Sequence, residues 1–243
     1  MTRLQHWVFA VFVLCMGVVT SARADVVTIP SSLVGGFNAF GGYDNTLAFQ
    51  NYFTGSTATG PQPDRRSFYI FGLPGALPPV TAASLILRNP WLPFPGGATG
   101  TPGYFSDDPF ETFRISDTPF PAGFISAPHS VPEALSIWAT LGTGTLYGST
   151  AVMPATGPGE DITIPLSAAA VGYINTHLGA AFVIGGQVST LDGTSPDELI
   201  FGYSDIPSPH MVEPRLELTY LPEPSATSAL VVAGIIGFAR RRW

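Results

Sequence analysis

The segment Arg215-Leu216-Glu217-Leu218-Thr219-Tyr220 alternates apolar and polar side chains without a break, and this period of two decides the fold class. Successive strand side chains point to opposite faces, so Leu216, Leu218 and Tyr220 are placed inward and Arg215, Glu217 and Thr219 outward. Asp161-Ile162-Thr163-Ile164-Pro165-Leu166 repeats the pattern. Further strand candidates cover 67–71, 83–88, 111–115, 145–147, 181–184 and 199–203, each bounded by Gly, Pro, Asp or Ser. Composition agrees: 27 Gly and 24 Pro among 243 residues interrupt long helices and exclude helical bundles and coiled coils. With 17 Phe and 45% apolar residues, the chain has enough apolar matter for a core, which a disordered chain lacks.

Two segments read as short helices. Ser130 and Glu133 have capping-box spacing, and Ala134, Ile137, Trp138 and Leu141 then recur at helical intervals before Gly142. Ser167 caps a second helix, with Val171, Ile174 and Leu178 on one face and Gly179 just past its end. Both helices are expected to cover the ends of a sandwich, and no fixed-period repeat is present. The expected fold is therefore all-β, an antiparallel jelly-roll-like β-sandwich over 25–220 with one or two short helices. Phe68-Tyr69-Ile70-Phe71-Gly72-Leu73, Ala82-Ala83-Ser84-Leu85-Ile86-Leu87 and Pro214-Arg215-Leu216-Glu217-Leu218-Thr219-Tyr220 resemble exported β-sandwich domains related to the DNRLRE and carbohydrate-binding-module jelly rolls. That resemblance concerns fold.

The two ends carry processing signals. Arg3 precedes an apolar run over 7–19, and Ser21-Ala22-Arg23-Ala24 supplies the small residues that a signal peptidase reads, so 1–24 is expected to be a cleaved signal peptide. Cys15 is the only cysteine, so cleavage leaves an exported body without thiol, disulfide or Cys-ligated metal. At the other end, Leu221-Pro222-Glu223-Pro224-Ser225 leads into an apolar stretch over 226–239 and then Arg240, Arg241, Arg242 and Trp243. A helix over that stretch rises only about 21 Å against a hydrocarbon core of about 30 Å, a marginal anchor. Pro222-Glu223-Pro224, the short apolar helix and the terminal arginines, spanning 221–243, resemble the PEP-CTERM sorting signal of Gram-negative bacteria. The resemblance implies recognition by an exosortase-type transpeptidase, transient residence in the inner membrane, and delivery to the cell surface or to an extracellular matrix of exopolysaccharide. Trp243, closing the chain after the arginines, departs from the usual pattern.

Chemistry between the ends is sparse. The body has five arginines and no lysine against 16 acidic residues, a formal charge of −11, which disfavours nucleic acid and anionic lipid. His129, His177 and His210 lie at no metal-ligand spacing, and neither a Gly-x-Ser-x-Gly elbow nor a phosphate loop is present. Glu111, Glu133, Glu160 and Glu198 are the acids from which a glycosidase pair would be drawn. No cofactor is called for beyond a structural Ca²⁺, for which Asp107, Asp108 and Glu111 supply dense hard oxygens; a second loop, Asp192-Gly193-Thr194-Ser195-Pro196-Asp197, has similar chemistry. Trp91, Phe94, Tyr104 and Phe105, in or beside the Gly- and Pro-rich loop 89–103, are candidates for a sugar-stacking surface or for a lid over the sandwich. The expected function is a non-enzymatic structural or adhesive surface protein. A lectin and, behind it, a polysaccharide hydrolase or lyase are the alternatives.

Overall fold

The computed structural model describes residues 24–46, 50–57, 64–89, 103–154, 160–192, 197–201, 203–204 and 214–221. Its longest strand, β1 (Asp25–Asn38), belongs to two sheets. The first part pairs antiparallel with β14 (Arg215–Tyr220), Asp25 opposite Tyr220 and Pro30 opposite Arg215. The second part pairs with β5 (Arg65–Gly72), running from Ser31 opposite Phe71 to Asn38 opposite Arg65, after a register shift between Ser31 and Leu33. Pro30 has no N–H to donate and stands where β1 leaves the first ladder, one of the few places a strand tolerates it.

The first sheet runs β10 (Asp161–Pro165), β6 (Val80–Arg88), β14, β1. The second runs β1, β5, β11 (Ala181–Val188), β8 (Glu111–Asp117), β9 (Leu146–Val152). Short strands β2 (Tyr43–Asp44), β4 (Thr54–Thr57), β7 (Tyr104–Phe105) and β12 (Asp197–Ile200) extend it, and β3 (Gln50–Asn51) pairs separately with β13 (Tyr203–Ser204). Every pairing among the described residues is antiparallel, and they form a mostly-β, sandwich-like fold.

The alternation read from sequence fills the space between the sheets. Leu216 and Leu218 of β14, Leu85 and Leu87 of β6 and Ile164 of β10 meet Tyr69 and Phe71 of β5, Phe113 and Ile115 of β8, and Phe182 and Ile184 of β11. At about 25 cal/mol per Å² of apolar surface removed from water, this layer is the main stabilising term. The edge of the first sheet is tied by charge: Arg88 Nε donates to Asp161 at 2.9 Å, and Arg215 donates to the other carboxylate oxygen. Burial works to raise the Asp161 pKa, but the two guanidinium groups hold it below the ordinary carboxylate value.

A second apolar layer lies on the outer face of the second sheet, where Leu33, Phe37, Phe68 and Ile70 pack against Ala134 and Ile137 of α2 (Val131–Thr140), its C-cap residue Leu141, and Ile125 of α1 (Ala122–Ile125). The expected capping box is present, with the Ser130 N–H and hydroxyl both donating to Glu133 Oε2. Arg66 of β5 donates to the carbonyls of Trp138, Ala139 and Leu141 and lies 4.4 Å over the Trp138 ring, which fixes the C-terminal end of α2 on the sheet. The expectation that this helix covers an end of the sandwich is thereby corrected: β5 has large apolar residues on both faces, and α2 buries the outer set. The helix begun by Ser167, α3 (Ala168–Thr176), sends Ala170 and Ile174 into the inter-sheet core, and its Asn175 bonds both backbone groups of Val80 at the start of β6.

Candidate functional site

A cleft of about 490 Å³ opens where β8, β9, α3 and the segment ahead of β11 converge, roofed by the turn 118–121 and the first residues of α1. That volume falls within the range of small-molecule sites. Asp117 closes β8 at the rim, and its Oδ1 accepts the Thr145 N–H at 2.6 Å, which anchors the carboxylate. Phe120 comes from the Pro-flanked turn, its ring stacked on Phe124 with centroids 5.2 Å apart and planes at 17°. Tyr173 comes from α3, with one face covered by His177 at 3.9 Å and 6°.

Tyr147 of β9 completes the cleft. Its ring stacks on Phe182 at 5.9 Å in the core and the residue is only 3% exposed, so what reaches the cleft is its hydroxyl end. That hydroxyl has no hydrogen-bond partner among the described residues. Burial, with the Asp117 carboxylate and Tyr173 adding smaller effects, pushes the phenol up to about 12, so it remains a neutral donor in any ordinary medium. The cleft thus joins a neutral donor, an acceptor carboxylate and two apolar ring surfaces. Asp117 is the only carboxylate lining it among the described residues.

The sequence did not nominate these residues. Tyr147 fell in an expected strand and Tyr173 on an expected helix, but the link between them needed the tertiary fold. One signal was available: Tyr173 sits outside the Val171, Ile174 and Leu178 stripe of its own helix.

The sequence candidates are distributed differently. Tyr104 is 3% exposed in the inter-sheet core, and its hydroxyl donates to the Asp108 carbonyl at 2.7 Å, so its ring is not free to stack on a sugar. Phe105 is half-buried on β7. Trp91 and Phe94 lie outside the described residues, as do 1–23, Pro222, Glu223, Pro224, Arg240, Arg241 and Arg242. No helix among the described residues is long and apolar enough to cross a membrane.

Of the expected calcium ligands, Asp107 is exposed and Glu111 is fully buried, with Oε1 accepting from Ser106 at 2.7 Å and Oε2 from Thr190. Glu111 therefore ties the start of β8 to the loop after β11. Asp108 instead gathers with Asp192 and Glu198, their carboxylate oxygens within 4.8 Å of one another, so the two acidic loops singled out in the sequence do meet. These three are the residues that could hold a hard cation. Glu198 is already engaged by the Asp192 N–H at 3.0 Å, and acidic clusters of this kind are common without an ion.

The fold and cleft together define a class, the antiparallel β-sandwich with a ring-lined cleft at the side of its helical segments. No protein-family model matches the chain, and no curated protein matches it.

Proposed function

We propose that this chain is an exported, non-enzymatic structural or adhesive protein of a Gram-negative bacterium, with a jelly-roll-like body sorted to the cell surface or matrix through 221–243. The observation that carries the proposal is the place of the body's two ends. β1 starts at Asp25, directly after the expected signal-peptidase site at Ala24, and β14 ends at Tyr220, directly before the Pro222-Glu223-Pro224 motif. Asp25 and Tyr220 are opposite one another in the same ladder. Removal of 1–24 and of the residues from Pro222 onward takes no residue out of the β1–β14 ladder, so the two expected processing sites flank the same end of one strand pair. The adhesive reading draws support from the cleft, which offers donors, acceptors and rings with a single carboxylate, whereas glycoside hydrolysis ordinarily needs two.

The test is a mass measurement on full-length protein expressed in a Gram-negative host carrying an exosortase. Released protein should begin at Asp25 and lack the residues beyond the Pro-Glu-Pro motif. The double variant Pro222→Ala and Pro224→Ala should remain as membrane-bound precursor. Recovery of extracellular protein with Trp243 still attached would refute the sorting assignment.

A further inference from the structure

We propose that the cleft formed by Asp117, Phe120, Tyr147 and Tyr173 binds a neutral sugar ring of a polysaccharide. A pyranose has two kinds of surface, an apolar face of C–H groups and an equator of hydroxyls that both donate and accept. The cleft matches both. Tyr173 is 36% exposed, and its ring is held in place by His177 stacked on one face and by Phe182 and Tyr147 with centroids 5.7 and 6.5 Å away, so the exposed part of the ring is fixed for stacking. Phe120 provides a second apolar surface, backed by Phe124.

The polar pair matches the equator. The Tyr147 hydroxyl sits at the cleft end of a residue that is otherwise 97% buried and makes no hydrogen bond to the described protein, so a ligand in the cleft can take its proton without displacing a protein partner. Asp117 keeps a carboxylate oxygen beyond the one engaged by Thr145. One sugar hydroxyl can accept from Tyr147 and donate to Asp117 in the same contact.

Charge narrows the ligand class. No Arg or Lys lines the cleft among the described residues and the one charge there is negative, so uronates and phosphorylated sugars are repelled. An ammonium ligand would satisfy Asp117 but leave the Tyr147 donor facing a donor. A neutral hexose meets both. This inference concerns the body alone and is unaffected by how the tail is processed.

The test uses the full chain in a zwitterionic detergent free of sugar. Binding is followed by saturation-transfer NMR and calorimetry against cellotetraose, laminaritetraose, maltotetraose, mannotetraose and a β-linked galactotetraose, with tetragalacturonate and choline as charged comparators. At least one neutral tetrasaccharide should bind, and neither comparator should. Tyr147→Phe removes one hydroxyl and no protein hydrogen bond, so its melting temperature should stay unchanged while affinity falls roughly tenfold, the loss of one buried hydrogen bond. Tyr173→Ser should abolish detectable binding. Absence of any neutral binder, unaltered affinity in both variants, or preference for a charged comparator would each overturn the proposal.

Discussion

At the scale of single residues, the least expected side chain is Arg65, 2% exposed between β1 and β4, its guanidinium 4.2 Å over the Phe53 ring and paired with Asp44. Burial lowers its pKa, and the Asp44 charge and hydrogen bond partly offset this. Asp44 itself is 31% exposed. The two halves of the pair are therefore unequal. Asp44→Ala removes a carboxylate from a buried charge and should cost about 3 kcal/mol, whereas Arg65→Met keeps the packing on Phe53, leaves a carboxylate that water can reach, and should cost under about 1 kcal/mol. Urea midpoints of the two variants decide the matter; equal losses would show that Asp44 contributes packing rather than charge.

Among the elements, legibility followed burial on one face or two. β14 and β10, each with a clean alternation, were readable at nearly their true bounds, whereas β6, buried at Leu85, Ile86 and Leu87 in succession, begins at Val80, ahead of the expected start at Ala83. The longest strand was not. β1 carries Pro30, Ser31, Ser32, Gly35 and Gly36, residues that ordinarily mark turns, and its pattern changes where it passes from one sheet to the other. The reason for the glycines is close approach: a Cβ on Gly35 would stand 1.9 Å from the Asp44 carbonyl oxygen, and one on Gly36 2.8 Å from the Arg65 guanidinium. Such constraints come from segments distant in sequence and leave no periodic trace. The same holds for the cleft, whose residues come from four segments, while the acidic loops were visible singly but not as the group they form. Gly35→Ala should cost about 3 kcal/mol or prevent folding, since backbone must move. Gly72→Ala, with nothing within 4 Å of the added methyl, should be neutral or slightly stabilising. Thermal melts of the two variants that coincide would remove the close-approach argument for β1.

For the whole molecule, the core sets a limit of stability at high pH. Tyr52 and Tyr69 are 1% and 0% exposed, the Tyr52 hydroxyl donating to the Arg88 carbonyl at 2.6 Å and the Tyr69 hydroxyl accepting from Ser67 at 3.2 Å. Desolvation raises both phenols far above the ordinary value of 10.0. Below pH 10 these two groups are neutral in both folded and unfolded chains and contribute no pH dependence to stability. Above it, the unfolded chain releases the two protons while the folded core retains them, so the free energy of unfolding falls by about 1.4 kcal/mol per pH unit for each phenol, about 3 kcal/mol per unit together. Tyr147, with its hydroxyl open to the cleft, adds a smaller contribution up to about 12. The absence of lysine leaves this window unusually clear, because no ammonium group titrates alongside the phenols. Urea unfolding followed at successive pH values above 10 should show that slope, with the share of phenolate absorbance that comes from Tyr52 and Tyr69 appearing together with loss of the fold rather than before it. Tyr52→Phe should reduce the slope by about half whatever it does to stability at neutral pH. A slope unchanged in that variant, or phenolate absorbance from Tyr52 while the sandwich is intact, would mean that water reaches the space between the sheets.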